Sequence, residues 1–350
     1  MENVVYLLGA GFSAPLGIPV MAKFIEKSRD LLRSDSERFG PFEEVLQTIK
    51  EMSFTKNFYD ADLLNIEEVL SILEMREGIN GKSGPRSFIR YITDVIRVCT
   101  VPLDPPKRYD RPAGIWMDSV FGRSLWALYG AFVASLFNLR VTVSWPEPMR
   151  ETHTNFTHIG GPAQYSVVSL NYDLILETLC VFIKQHHACE PPIDFQTEFS
   201  DRPKSSAVML AKLHGSIDTG EIIAPTWNKS LHPNLLQKWQ AGYACLANAN
   251  HIRILGYSLP VSDAYIKYLL KCAAIESGHL KRIDVLCRDT TGGVQARYSE
   301  FVHSGLLRFK PCNIQDYLQA VFDASMDYKH YGHERDFNKL ENVHEAFMSA

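Results

Sequence analysis

Val4-Val5-Tyr6-Leu7-Leu8 running into Gly9-Ala10-Gly11-Phe12-Ser13, and then Gly17-Ile18-Pro19, is the stretch that decides how the rest of the chain is read. The apolar run predicts a buried strand, and the glycines after it predict a tight turn into a helix. Glycines at that place let the backbone come close to a diphosphate, and a helix start offers unpaired N–H groups and a positive dipole end to the anion. The spacing is not the full G-x-G-x-x-G of dehydrogenases, so a plain strand-to-helix turn stands beside the nucleotide reading. Ser13 has the same two readings, as a helix cap or as a ligand contact.

Working outward, three later segments read as short buried strands: 165–170, 252–256 and 283–287. Each precedes a helix-like pattern (174–184, 263–275 and 294–302), and shorter strands are expected at 208–213 and 306–310. Strand and helix alternating in this way predict an α/β fold, a Rossmann-like parallel sheet flanked by helices and joined by right-handed crossovers. Residues 23–159 read differently. Ile66, Val69, Leu70 and Leu73 share one helix face behind a possible Asn65/Glu68 cap, and 125–139 is strongly helical. The expected organisation is therefore a sheet domain from 1–22 and 160–325, a helical inserted module over 23–159, and a charged, exposed C-terminal helix or tail over 326–350.

Composition narrows the classes. With 46% apolar residues the 350-residue chain can bury a large core. A net charge of −4 argues against binding nucleic acid mainly by phosphate neutralisation. No apolar run approaches the roughly 20 residues needed to span a bilayer, which predicts no membrane association and a cytoplasmic location. The seven cysteines are scattered, none in the close pairs of a zinc ribbon, so no metal is expected.

If the strands are neighbours, their carboxyl ends share one crevice. Those ends carry Gly9-Ala10-Gly11-Phe12-Ser13, Asn171-Tyr172-Asp173, His214-Gly215-Ser216 and Gly256-Tyr257-Ser258. Taken singly, a His before Gly is an ordinary loop residue and Asn-x-Asp an ordinary Asx-turn or cap. Together, the glycine loop with its trailing Gly-Ile-Pro, the Asn-x-Asp after a strand and the Leu-His-Gly resemble the sirtuin family in order and approximate spacing. The resemblance implies NAD as substrate, with Gly9, Ala10, Gly11, Phe12 and Ser13 on its diphosphate. It also implies Asn171 and Asp173 at the nicotinamide ribose, His214 as general base on a ribose hydroxyl, and Gly215, Gly256, Tyr257 and Ser258 lining the rest. An unperturbed imidazole titrates near neutrality, which suits that role.

Protein-deacylating sirtuins hold a structural zinc with two cysteine pairs that this chain lacks. The chain is more similar to the zinc-free bacterial sirtuin-like proteins that hydrolyse NAD during phage infection, and the segment 223–229 resembles an element of that group. Within that segment Trp227 reads as a packing residue. The resemblance implies an NAD glycohydrolase acting in abortive infection. It further implies restraint by homo-oligomerisation or by a partner such as a HerA-type ATPase. An acceptor-dependent deacylase or ADP-ribosyltransferase, and a non-catalytic NAD or ADP-ribose sensor, are the alternatives.

Overall fold

The computed structural model describes residues 1–54, 65–80, 85–105, 118–122, 125–144, 153–197, 207–222, 233–261, 263–302, 305–325 and 334–350. The resembling segment 223–229 with Trp227, and residues 326–333 of the C-terminal segment, lie outside them. In chain order the strands are β1 (Glu2–Leu8), β2 (Leu139–Ser144), β3 (His153–His158), β4 (Ala163–Ser169), β5 (Ala188–Glu190), β6 (Phe195–Gln196) and β7 (Val208–Lys212). They continue with β8 (Gly215–Ser216), β9 (Glu221–Ile222), β10 (His251–Leu255), β11 (Arg282–Cys287), β12 (Leu307–Pro311) and β13 (Glu334–Asp336).

The chain is α/β, and its central sheet has seven strands in the order β12-β11-β10-β1-β4-β7-β6. Every pairing in it is parallel. β1 lies in the middle because both its faces are apolar: Val4, Tyr6 and Leu8 enter one core, Val5 and Leu7 the other. Helices cover both sides, Trp126–Leu136 and Ile314–Ser325 on the first, Pro233–Ala247 and Ala264–Glu276 on the second. From β1 the chain passes to its neighbour β4, runs out to the edge strand β6, comes back in to β7 between them, and then crosses to β10 on the other side of β1. The direction of winding therefore reverses at β1, and a crevice opens beyond its carboxyl end.

Residues 21–99 are helical where described, with Met21–Ser34, Phe42–Phe54, Ile66–Asn80 and Pro85–Cys99 packed around Phe24, Phe42, Phe88 and Tyr91. The later part of the expected helical module is not. β2 and β3 pair antiparallel and belong to a second sheet, β13-β2-β3-β5. Their alternating burial is the period-2 pattern of a sheet with one face covered. Trp126–Leu136 is buried along its whole length, which is why it carries no charge.

The C-terminal segment departs from an exposed tail. Mid-strand residues Arg253, Asp284 and Arg308 stand side by side on β10, β11 and β12. Glu341, His344 and Glu345, one face of the helix Leu340–Ser349, meet that row. Glu341 takes Arg253 at 2.9 and 2.6 Å, His344 lies 2.9 Å from Asp284, and Glu345 takes Arg308 at 2.8 Å. Burial alone would raise the Asp284 carboxyl, yet hydrogen bonds from Arg308 and His344 bring it down to about 2. A folded value below the unfolded 3.8 stabilises at pH above the unfolded value, and that contribution is lost as pH falls through about 2. The gap in unfolding free energy between the wild type and D284N is therefore expected to be about 2 kcal/mol at neutral pH. Denaturant titrations stepped through acid should show it shrinking below about pH 4.

Candidate active site

The helix after β1 is short. Ala10–Ser13 makes a single turn, continues as a 3-10 turn over Ala14–Leu16, and stops at Gly17, whose φ of 90° is left-handed. The N–H groups of Gly9 and Gly11 donate to Leu255 O and Gly256 O, and that of Phe12 to Gly9 O. These glycines serve a close approach between two turns. A Cβ on Gly9 would lie 2.6 Å from Tyr257 Cβ, and one on Gly11 2.9 Å from Gly256 Cα. Gly256 has φ +66°, and its Cβ would meet Phe12 N at 2.4 Å. G256A combines left-handed strain with a backbone clash and is expected to cost about 1–3 kcal/mol in urea unfolding.

The crevice ends in a cavity of about 110 Å³. It is lined by nine of the residues expected from sequence: Gly9, Ala10, Ser13, Asn171, Asp173, His214, Gly256, Tyr257 and Ser258. Its volume suits one small ring system rather than a whole dinucleotide. Gly11, Phe12 and Gly215 do not line it. The Phe12 ring packs edge-on to Tyr129, whose hydroxyl donates to Phe12 O at 2.5 Å. Gly215, at φ +87°, passes so close to Glu221 O in the β8–β9 hairpin that no Cβ fits.

Around the cavity the side chains hold one another. Asn171 Nδ2 donates to Gly9 O at 3.0 Å and to Ser13 Oγ at 2.9 Å, and Ser13 Oγ donates to Asp173 Oδ2 at 2.5 Å. Asp173 Oδ1 accepts the N–H of Ile175 at 3.2 Å, so the carboxylate satisfies the first N–H of the helix Ile175–His186 while its residue lines the pocket. With both amide hydrogens of Asn171 engaged, what its side chain has left to offer is the carbonyl oxygen, an acceptor. Tyr257 donates to Asp263 Oδ2 at 2.7 Å, and burial, ahead of Asp263 itself, keeps that phenol well above its ordinary range. His214 is 2% exposed, on the turn after β7.

Besides Asp263, two further groups at the site, Glu67 and Lys212, lie outside the residues expected from the sequence. Glu67, in the first turn of Ile66–Asn80, lines the cavity, accepts the Tyr172 hydroxyl at 3.2 Å and lies 3.9 Å from His214 Nδ1. The expected capping partner Glu68 is one residue away; Asn65 Oδ1 instead accepts the N–H of Glu67. Lys212, buried at the end of β7, donates to Asp173 O, to Ser216 Oγ at 2.9 Å and to Glu177 at 3.0 Å. It ties the Asn171–Asp173 turn to the His214–Ser216 turn. A lysine closing the apolar run Val208–Ala211 was the visible signal.

Glu67, Asp173 and Asp263 surround the cavity, and among the described lining residues none is Lys or Arg. Away from it, Asp284, His344 and Glu345 bring ligand-type atoms within 4.8 Å of one another. Arg308 holds both carboxylates there, so the group is an ion-pair network. Among the described residues no helix is long and apolar enough to cross a membrane. Comparison of the sequence with described protein families and with curated proteins finds no match.

Proposed function

We propose that the chain hydrolyses NAD to nicotinamide and ADP-ribose. The observation that carries this reading is the meeting of Ser13, Asn171, Asp173 and His214, from three separate turns, around one cavity at the winding reversal of a parallel sheet. The cavity's chemistry supports the cationic end of NAD. Three carboxyl side chains and acceptor oxygens around a ring-sized space suit a pyridinium and a ribose, whereas a diphosphate inside it would be repelled.

The reaction breaks the bond between ribose C1′ and the nicotinamide nitrogen, whose electron pair leaves with the neutral base. Positive charge builds on the ribose, which the Asp173 carboxylate stabilises. Asn171 accepts a ribose hydroxyl or the attacking water through its free carbonyl oxygen. His214 takes the proton of that hydroxyl or water, and one proton is finally released to solvent. Lys212 holds the two turns in register. We further propose that such an activity, which would drain the NAD of a phage-infected cell, is restrained by self-assembly or by a partner such as a HerA-type ATPase.

Purified protein incubated with NAD, and followed by chromatography of nicotinamide and ADP-ribose, tests the reading. Acceptor-independent release of both in equal amounts is expected. Nicotinamide release only with an acyl-lysine peptide or an acceptor protein would favour a deacylase or ADP-ribosyltransferase. Tight binding without turnover in the presence of candidate partners would favour a sensor.

A further inference from the structure

We propose that Glu67 is a positioning residue for His214, so that the helix Ile66–Asn80, far from the sheet in sequence, completes the site. The inference rests on the NAD-hydrolase reading for its chemistry, but its geometry stands alone.

Glu67 is held where it is. Asn65 caps its N–H at 3.0 Å, and Ile66, Val69 and Leu70, fully buried, anchor the helix on the core. The backbone of Glu67 is therefore fixed, and the hydrogen bond from Tyr172 orients its carboxylate. It accepts the Tyr172 hydroxyl at 3.2 Å and faces His214 Nδ1 at 3.9 Å, so a single anion is bonded to the turn after β4 and lies beside the turn after β7. The Tyr172 phenol, pushed well above its ordinary range by burial and then by Glu67, remains a donor.

The consequence for His214 is electrostatic. When its imidazole, 2% exposed, takes a proton it becomes a largely desolvated cation, and an anion at this distance favours that charged form. An anion on the Nδ1 side also favours a proton there, leaving Nε2 as the acceptor. Other groups face the same space: Asp173 and Tyr172 from the turn after β4, Tyr257 and Asp263 from the turn after β10, and Ser13 from the glycine loop. Lys212 lies behind, turned toward Asp173 O, Glu177 and Ser216. The two other helices that border the cavity contribute Met21 and Phe24, from Met21–Ser34, and Ile96, from Pro85–Cys99, all of them apolar.

The test compares wild type, E67Q and E67D as full chains. E67Q keeps the shape and can still accept from Tyr172, so its difference from wild type reads the charge alone, and E67D retracts the charge without removing it. The first readout is nitrogen-detected titration of histidine rings, with the His214 signal identified from H214N. In E67Q the His214 midpoint is expected to fall by about one pH unit, a tenfold shift in its protonation equilibrium, with E67D in between. The second readout is the pH profile of kcat/KM for NAD, whose acid limb is expected to move the same way by the same amount. A His214 titration in folded E67Q that superimposes on the wild type would overturn the assignment. Absence of any NAD cleavage by the wild type would count against the hydrolase reading, while the ring titration would still decide the pairing.

Discussion

H214A is expected to slow nicotinamide release from NAD by about 10²–10⁴-fold, the usual size of a lost general base, while the protein still folds. The fold should survive because the turn that carries His214 is pinned by its neighbours. Trp239 Nε1 donates to Leu213 O at 2.9 Å, Lys212 holds Ser216, and Gly215 anchors the hairpin. A residual stability loss of about 1–2 kcal/mol from the lost buried ring is compatible with this. Asn171 is a less clean position. Its amide bonds Gly9 O and Ser13 Oγ, so N171A would loosen the glycine loop along with any loss of chemistry. Nicotinamide release by folded H214A at the wild-type rate would remove the imidazole from the mechanism.

E341A is expected to lower unfolding free energy by about 3–5 kcal/mol, measured by urea titration. Arg253 is 1% exposed and its guanidinium is held by both oxygens of Glu341, with the Tyr6 hydroxyl at 2.9 Å as the other partner. Removing the carboxylate leaves a buried cation without its counter-charge. The double variant R253M/E341M removes both charges and is expected to recover most of the loss, because two apolar side chains of similar bulk carry no desolvation penalty. A loss below about 1 kcal/mol in E341A would mean that water reaches Arg253 once the carboxylate is gone.

The same pair explains why the C-terminal segment, which reads as an exposed helix or tail, forms a helix packed on the sheet. Charge-rich sequence normally means a solvated face, and that expectation holds only where the partner surface is apolar or absent. Here the partner surface is itself charged. Each of Ile252-Arg253-Ile254, Ile283-Asp284-Val285 and Leu307-Arg308-Phe309 carries one charge between apolar neighbours, which is costly in a buried strand unless matched. That signal was in the sequence, but which helix matches it was not. Parallel register brings the three charges side by side, and register is decided by the whole sheet. The second sheet was missed for a different reason. Leu139-Arg140-Val141-Thr142-Val143 alternates plainly, but it follows closely on the helix Trp126–Leu136, whose pattern reads on to Leu139, and it falls within the expected helical module 23–159.

The glycine loop shows the limit most clearly. Gly9, Gly11 and Gly256 are required where the turns after β1 and β10 touch, a contact between residues about 245 positions apart. Glycine between a strand and a helix is compatible with both a ligand and another backbone close by. From the local sequence the two cannot be told apart.

Local pattern along the chain specifies the elements whose signal lies within a few residues. These are the apolar run of β1, the strands and helices of the C-terminal half, and the polar turns that carry Asn171, Asp173 and His214. Tertiary structure alone decided which of those turns converge, that Glu67 and Lys212 join them, and that the charged C-terminal helix closes over Arg253. The physical reason is range. Periodicity and turn preference arise between neighbours along the chain, while strand order and register bring together groups that share no local pattern.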